Sequence, residues 1–112
     1  MNRLLLAILL SALAGCTAKP HPQARPLFNG KDLSGWKGLV GNPVSRSKMA
    51  PEELATAQAK ADESMREHWT VEDGVIVFDG KGDNLVTVED FEDFELWVDW
   101  KIEPRGDSGI YL

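Results

Sequence analysis

The segment 94–103 contains side chains whose types and spacing could do chemistry. Glu95, Asp99 and Lys101 supply two carboxylates and an ammonium, which proteins use as general bases, general acids and stabilisers of developing negative charge. In a β-strand, side chains at positions i and i+2 project from one face and lie roughly 6.6 Å apart. The spacing therefore predicts that these charges line one face of a strand, with Asp99 and Lys101 close enough for one small ligand to contact both.

The same segment alternates in hydropathy, and this alternation predicts the strand itself. Its even-numbered positions are all apolar: Phe94, Leu96, Val98, Trp100 and Ile102. A period of two is typical of a sheet with one face on a core. We therefore expect Trp100 to be buried in the core. Trp36 and Trp69 lie in apolar stretches of their own, and we expect them to be buried as well. The charged side chains could equally be solvated residues without a function. Trp97, on the same face, could be covered by a loop or by the Ala-rich helix.

Polar residues near the end of the sequence form a second candidate group. Residues 104–107 predict a turn, after which Asp107 and Ser108 stand at the start of a further strand. A glycine at 106 permits close backbone approach, so these side chains could reach a ligand, and Tyr111 follows on the same strand. The alternative is that these residues only fix the turn and the register of the strand.

Residues 80–84 and His68 are weaker candidates. The loop lacks both the Gly-Lys-Ser/Thr sequence of a phosphate-binding loop and the acidic spacing of an EF-hand, so it is predicted to connect two strands. His68 falls at the end of a predicted helix, where a cation complements the helix dipole. The sequence therefore does not show whether the protein requires a metal, and a divalent ion remains one alternative for a cofactor.

Local signals predict the elements around these residues. Proline and two glutamates at 51–53 predict the start of a surface helix over residues 51–67. Its apolar stripe is narrow and consists of Leu54, Ala57, Ala61 and Met65. The Asp73-Gly74 pair between two β-prone runs predicts a hairpin. Residues 37–50 are predicted to be an irregular loop, and residues 85–88 a strand.

The N-terminal residues predict export and lipidation. Arg3 precedes a short apolar run at 4–12, about half the length that spans a bilayer, which is the order of a signal peptide. The run closes with Leu-Ala-Gly-Cys, which resembles a bacterial lipobox, and Cys16 is the only cysteine of the chain. We therefore expect residues 1–15 to be removed and Cys16 to carry the lipid that anchors the protein in the bacterial envelope.

The residues after Cys16 predict a tether. Residues 16–26 contain three prolines and no aromatic residue, and His21 within them is expected to be linker. Thr17 resembles the default pattern for sorting to the outer membrane, with the domain facing periplasm or surface. Loss of Arg3 with the signal peptide changes the net charge from −6 to −7. This acidic balance argues against nucleic acid or an anionic lipid surface as partner.

Five sequence blocks, in this order, resemble the 3-keto-disaccharide hydrolase family, also catalogued as domain of unknown function 1080. They are LFNGKDLSGW at 27–36, WTVEDGV at 69–75, DFEL at 93–96, DWKI at 99–102 and GDSGIY at 106–111. Together they cover most of residues 27–112. The Ala-rich helix before Trp69 is similar to an insertion found in a subset of members.

The resemblance implies an all-β fold, a concanavalin-like jelly-roll sandwich whose concave face holds sugar. It also implies activity on 3-keto-glycosides, including 3-keto-disaccharides, by hydrolysis or by elimination followed by hydration. The expected partner is thus an oligosaccharide or a 3-keto-glycoside substrate. In that setting we predict that Asp99 acts as a base or metal ligand and that Lys101 orients the substrate or stabilises the oxyanion. Substrate contacts are then expected from Glu95, Trp97, Asp107, Ser108 and Tyr111.

Two other functions are consistent with the sequence. The main alternative is a lectin-like carbohydrate-binding module of the same fold that does not cleave its ligand, and a structural envelope lipoprotein is the third. Family members continue beyond the last block with an arginine and further strands. We therefore expect residues 27–112 to be the N-terminal part of a longer domain, inactive alone, with the full-length protein as the enzyme.

Overall fold

The computed structural model describes residues 23–112, so the predicted signal peptide at 1–15, Cys16 and His21 lie outside the described residues. Residues 25–95 form one compact unit, and residues 96–112 belong to another. The elements in chain order are β1 (Trp36–Gly38), α1 (Pro43–Ser47), α2 (Pro51–His68), β2 (Trp69–Glu72), β3 (Val75–Phe78) and β4 (Leu85–Thr87). No helix within residues 23–112 is long and apolar enough to cross a membrane.

The predicted hairpin is confirmed as the antiparallel pair β2 and β3. Its register places Trp69 opposite Phe78 and Glu72 opposite Val75, which leaves a turn of two residues. Asp73 and Gly74 have φ values of 50° and 75°, and a two-residue turn with both φ values positive matches the twist of the strands it joins. The rings of Trp69 and Phe78 stack with centroids 4.2 Å apart, so the pair stabilises the hairpin at its open end.

A second small sheet joins distant parts of the sequence. Strand β1 pairs antiparallel with β4, with Trp36 opposite Thr87 and Gly38 opposite Leu85. The half-buried Trp36 donates its indole N–H to the carbonyl of Leu27 at 3.1 Å, which holds the preceding turn against the strand. The predicted strand at 85–88 is therefore confirmed for its first three residues.

The predicted surface helix is confirmed as α2. Both ends of this helix agree with the dipole argument. The first turn contains a proline, Glu52 and Glu53, and the last turn contains basic residues. Met65 of the apolar stripe is buried, as is Val40, and these two residues form the buried core of the described part of the chain. The other three residues of the stripe are half-buried, and the helix packs its stripe on β1.

The prediction of an irregular loop at residues 37–50 is wrong at its start, where β1 continues to Gly38, and in its middle, where α1 forms. Asn42 caps this helix: its side chain accepts the backbone N–H of Ser45 at 2.9 Å, and the backbone N–H of Asn42 donates to the Ser45 hydroxyl at 3.0 Å. This reciprocal arrangement is a capping box, followed by proline at the first helical position. The signal was local, in the sequence Asn-Pro-Val-Ser, and the abundance of turn-forming residues obscured it.

The predicted strand at 94–103 is not formed, and neither is a strand after 108. The described strands pair only as β1 with β4 and β2 with β3. Trp100, expected in a core, is 61% exposed, and the other apolar residues of its face are also exposed: Phe94, Leu96, Val98 and Ile102. A strand needs a neighbour for its backbone hydrogen bonds, and no described strand pairs with this segment. The described fold is thus two antiparallel sheets with two helices.

Candidate functional site

The residues predicted to be catalytic or to contact the substrate are all exposed to solvent. Asp99 and Lys101 are exposed, and no hydrogen bond or ion pair joins them to each other within the described residues. Glu95 is the last residue of the unit 25–95. The side chain of Trp97 is 68% exposed. Without a formed strand, nothing in this segment aligns the charges on one face. Their roles therefore stay predictions.

The second candidate group has a turn of its own. The turn predicted at 104–107 is confirmed, because the N–H of Gly106 donates to the carbonyl of Glu103 at 2.8 Å. Asp107 and Ser108 follow it in exposed positions. The ring of Tyr111 lies beside Gly109, where an added Cβ would come 3.6 Å from the ring. An added Cβ would therefore fit beside the aromatic ring, which is itself 82% exposed.

The block at 27–36 folds into nested turns around two side chains. Asn29 accepts the backbone N–H groups of Lys31 at 2.8 Å and Asp32 at 2.9 Å. Asp32 in turn accepts the N–H of Ser34 at 2.9 Å and the amide of Asn29 at 2.7 Å. Hydrogen bonds from Ser34 and then Asn29 lower the pKa of Asp32 to about 2. This carboxylate is thus fixed in its ionised form and orients the chain that enters β1.

A histidine and carboxylate pair lies where α2 and β3 end, and sequence reasoning missed its second member. The Nδ1 of His68 is 2.8 Å from the Oδ2 of Asp79, whose Oδ1 accepts the N–H of Lys81 at 2.8 Å. The hydrogen bond with His68, followed by that of the Lys81 backbone, lowers the pKa of Asp79. A carboxylate on one ring nitrogen fixes the orientation of an imidazole, as in many acid–base sites. The backbone pairing of Asp79 with His68 brings the two together, and no sequence motif announces it.

The loop 80–84 fits closely against this histidine. Gly82 has a φ of 97°, and a Cβ added there would come 2.6 Å from Cδ2 of His68. The indole N–H of Trp69 donates to the carbonyl of Asp83 at 2.9 Å. The loop connects β3 to β4, as predicted. Among residues 23–112, no three His, Cys, Asp or Glu side chains come together as a set that could hold a metal ion.

Comparisons with known proteins give a consistent result. A family model described as a 3-keto-alpha-glucoside-1,2-lyase-like domain matches residues 23–112, which is the whole described part of the chain. A 3-keto-disaccharide hydrolase from Bacteroides thetaiotaomicron is 30% identical over 94 residues, covering 76% of this chain and 25% of that protein. The chain thus spans about a quarter of the length of this relative. No solved structure matches.

Proposed function

This chain belongs to the family of 3-keto-alpha-glucoside-1,2-lyase-like domains, and from that membership we propose that the protein cleaves glycosides oxidised at C3. The single observation that carries the proposal is the family match over residues 23–112. The relative named as a 3-keto-disaccharide hydrolase supports it as well. The substrate class is a 3-keto-disaccharide or another 3-keto-glycoside.

The chemistry follows from the ketone. A carbonyl at C3 acidifies the hydrogen on C2, so a base can remove that proton while the developing enolate is stabilised by a positive group. The electron pair of the C2–H bond then forms a C1–C2 double bond, and the glycosidic oxygen leaves from C1 with a proton from an acid. Addition of water across the double bond gives the free 3-keto sugar. The sum of both steps is hydrolysis, which reconciles a lyase name with a hydrolase name.

We assign the base to Asp99 and the stabilisation of the oxyanion to Lys101. Both stand in the DWKI block, and both are exposed to solvent in the described unit 96–112. A carboxylate and an ammonium two positions apart supply the two charges that the elimination needs. Asp99 would also serve as a ligand if a divalent metal takes part. The sugar is then contacted by Glu95, Trp97, Asp107, Ser108 and Tyr111.

The fold that would bring these residues together is a jelly-roll sandwich. The alternation at 94–103 supports this proposal, because its apolar positions need a core and its charged positions then share one face. The exposed apolar side chains of the segment support it as well, since surfaces of this kind are normally covered. In the sandwich, neighbouring strands supply the missing backbone hydrogen bonds.

We also propose that the protein works at the cell envelope, anchored by lipid on Cys16. The support is the order of the first residues and the single cysteine that closes the apolar run. A lipid anchor of this kind keeps a hydrolase close to imported or surface-bound carbohydrate. The tether at 16–26 then separates the membrane from the domain.

A turnover assay tests the catalytic proposal. Protein expressed from the complete gene is incubated with 3-keto-sucrose and a 3-keto-glucoside, with their unoxidised parents as matched controls, each with and without a chelator. We expect release of the aglycone from the oxidised sugars alone, and mass spectrometry should detect an intermediate that is lighter than the hydrated sugar by one water. Loss of turnover with chelator would identify a metal requirement.

The binding-module alternative gives a different result in the same assay. It is favoured by the exposed Trp97, since a flat indole can stack on the C–H face of a sugar. A protein of that kind binds the oxidised and unoxidised glycosides and releases no aglycone from either. That outcome would refute the enzymatic proposal.

A further inference from the structure

An open cleft of about 610 Å³ lies between α1, α2 and β1, within the unit 25–95. It has two cations in its lining, Lys37 from β1 and Arg46 from α1, and no carboxylate. The chain as a whole has a net charge of −6, so this composition differs from the rest of the molecule.

Both cations are left available for an anion. Neither Lys37 nor Arg46 forms an ion pair with any residue in the described part of the chain. Arg46 is held in place because its Nη1 donates to the carbonyls of Val40 at 2.7 Å and Gly41 at 3.3 Å. Its Nε and Nη2 donors make no hydrogen bond to the described residues. A guanidinium anchored in this way presents a planar pair of donors that matches a carboxylate.

The rest of the lining suits the body of a sugar. Pro51, Leu54 and Ala55 contribute an apolar wall from the first turns of α2. Gln58 uses its amide nitrogen for the carbonyl of Gly38 at 2.9 Å and for Asp62 at 2.8 Å. Those hydrogen bonds fix the side chain and leave its amide oxygen to accept a hydrogen bond from a hydroxyl group. The cleft thus combines an apolar wall, one fixed acceptor and two cations.

We propose that this cleft binds an acidic sugar, a hexuronic acid residue. Arg46 and Lys37 bind its carboxylate, and Gln58 accepts a hydrogen bond from a ring hydroxyl. The negative charge of the ligand follows from the cleft alone, whereas its being a sugar rests on the proposed function. The residues that line the cleft differ from those assigned to the C3 chemistry. It would select glycosides that carry a uronic acid unit.

Calorimetric titration with methyl glucuronide and methyl glucoside tests the proposal, because the two differ in one carboxylate. In protein from the complete gene we expect the glucuronide to bind at least about tenfold more tightly, the advantage falling as salt is added. Lys37→Met should remove most of that advantage. Lys60→Met, an equal change of charge at an exposed position of α2 outside the cleft, should leave it intact.

Arg46→Lys is the second variant, since it keeps the positive charge and loses the planar pair of donors. It should weaken glucuronide binding and leave glucoside binding unchanged. Equal affinity of the wild type for both glycosides would overturn the proposal, and so would variants at 37 and 46 that bind like the variant at 60. The titration needs no turnover, so a protein inactive on 3-keto-glucosides that still selects the glucuronide refutes the proposed function and supports the cleft.

Discussion

The backbone N–H of Gly38 donates to the Oδ1 of Asp62 at 3.0 Å, which ties the outer edge of β1 to the middle of α2. The carbonyl of Gly38 accepts a hydrogen bond from the side-chain amide of Gln58, so both backbone groups of Gly38 are satisfied by one helix. A Cβ at position 38 would collide with the carbonyl oxygen of Ala61, and only glycine permits this approach. The helix thereby covers an edge strand whose free backbone groups would otherwise be a site for pairing with another chain.

We expect Asp62→Ala to loosen this junction. Loss of the acceptor leaves a partly buried N–H without a protein partner, which costs about 1 kcal/mol of stability. Amide hydrogen exchange at Gly38 should accelerate correspondingly. Glu63→Ala, at the exposed neighbouring position, removes the same charge from the same helix and is the control. Equal exchange at Gly38 in both variants would show that the contact does not hold the strand.

We expect Gly74→Ala to destabilise the hairpin by roughly 1–2 kcal/mol, because φ at this position is 75° and a side chain is strained there. Chemical denaturation provides the measurement. Gly109→Ala is the control, since Gly109 has no positive φ and an added Cβ would meet nothing closer than 3.6 Å. A similar shift of the denaturation midpoint in both variants would contradict the strained-turn explanation.

The carboxylate of Asp32 should make stability depend on pH in the acid range. Its pKa in the folded protein is about 2, below the ordinary value of 3.8, so folding favours the ionised form. The stabilisation is therefore complete above pH 3.8 and is lost as the pH falls through about 2. In Asp32→Asn this contribution is absent at every pH. We expect the stability difference from wild type to be constant above pH 3.8 and to shrink below it, which denaturation at stepwise lower pH measures.

Asp99→Asn should lower kcat for a 3-keto-glucoside by at least about 100-fold, because an amide cannot accept the C2 proton. Lys101→Met should also lower kcat, through loss of the charge that stabilises the enolate. Asp90→Asn, at an exposed position outside the assigned site, should have wild-type turnover. Unchanged turnover in Asp99→Asn would remove this residue from the mechanism.

Cys16→Ser should release the protein from the membrane fraction, because serine offers no thiol for lipid attachment. Mass spectrometry of the wild-type N-terminal peptide should show a lipid on Cys16 and loss of residues 1–15. His21→Ala, within the predicted tether, should fractionate with the membrane as the wild type does. A wild-type protein that is found in the soluble fraction with an unmodified thiol would refute the anchor.

Local signals in the sequence were sufficient where the structure itself is local. The hairpin followed from Asp73-Gly74 because only residues that tolerate positive φ allow a two-residue turn of the right twist. Helix α2 followed from its first turn and its apolar stripe. The capping box of Asn42 and Ser45 was equally local and was missed, because the surrounding glycines and serines are also typical of loops.

The sequence by itself determined the family, through five ordered blocks that the family match confirms, together with the positions of α2 and of the β2–β3 hairpin. Only the tertiary structure decided that β1 pairs with β4, that Asp62 binds Gly38 and that Asp79 meets His68. It also decided that the alternating segment 94–103 is not a strand within the described residues. The physical reason is that a helix or a tight turn satisfies its hydrogen bonds within a few residues, whereas a strand or a side-chain pair depends on partners that are distant in the sequence.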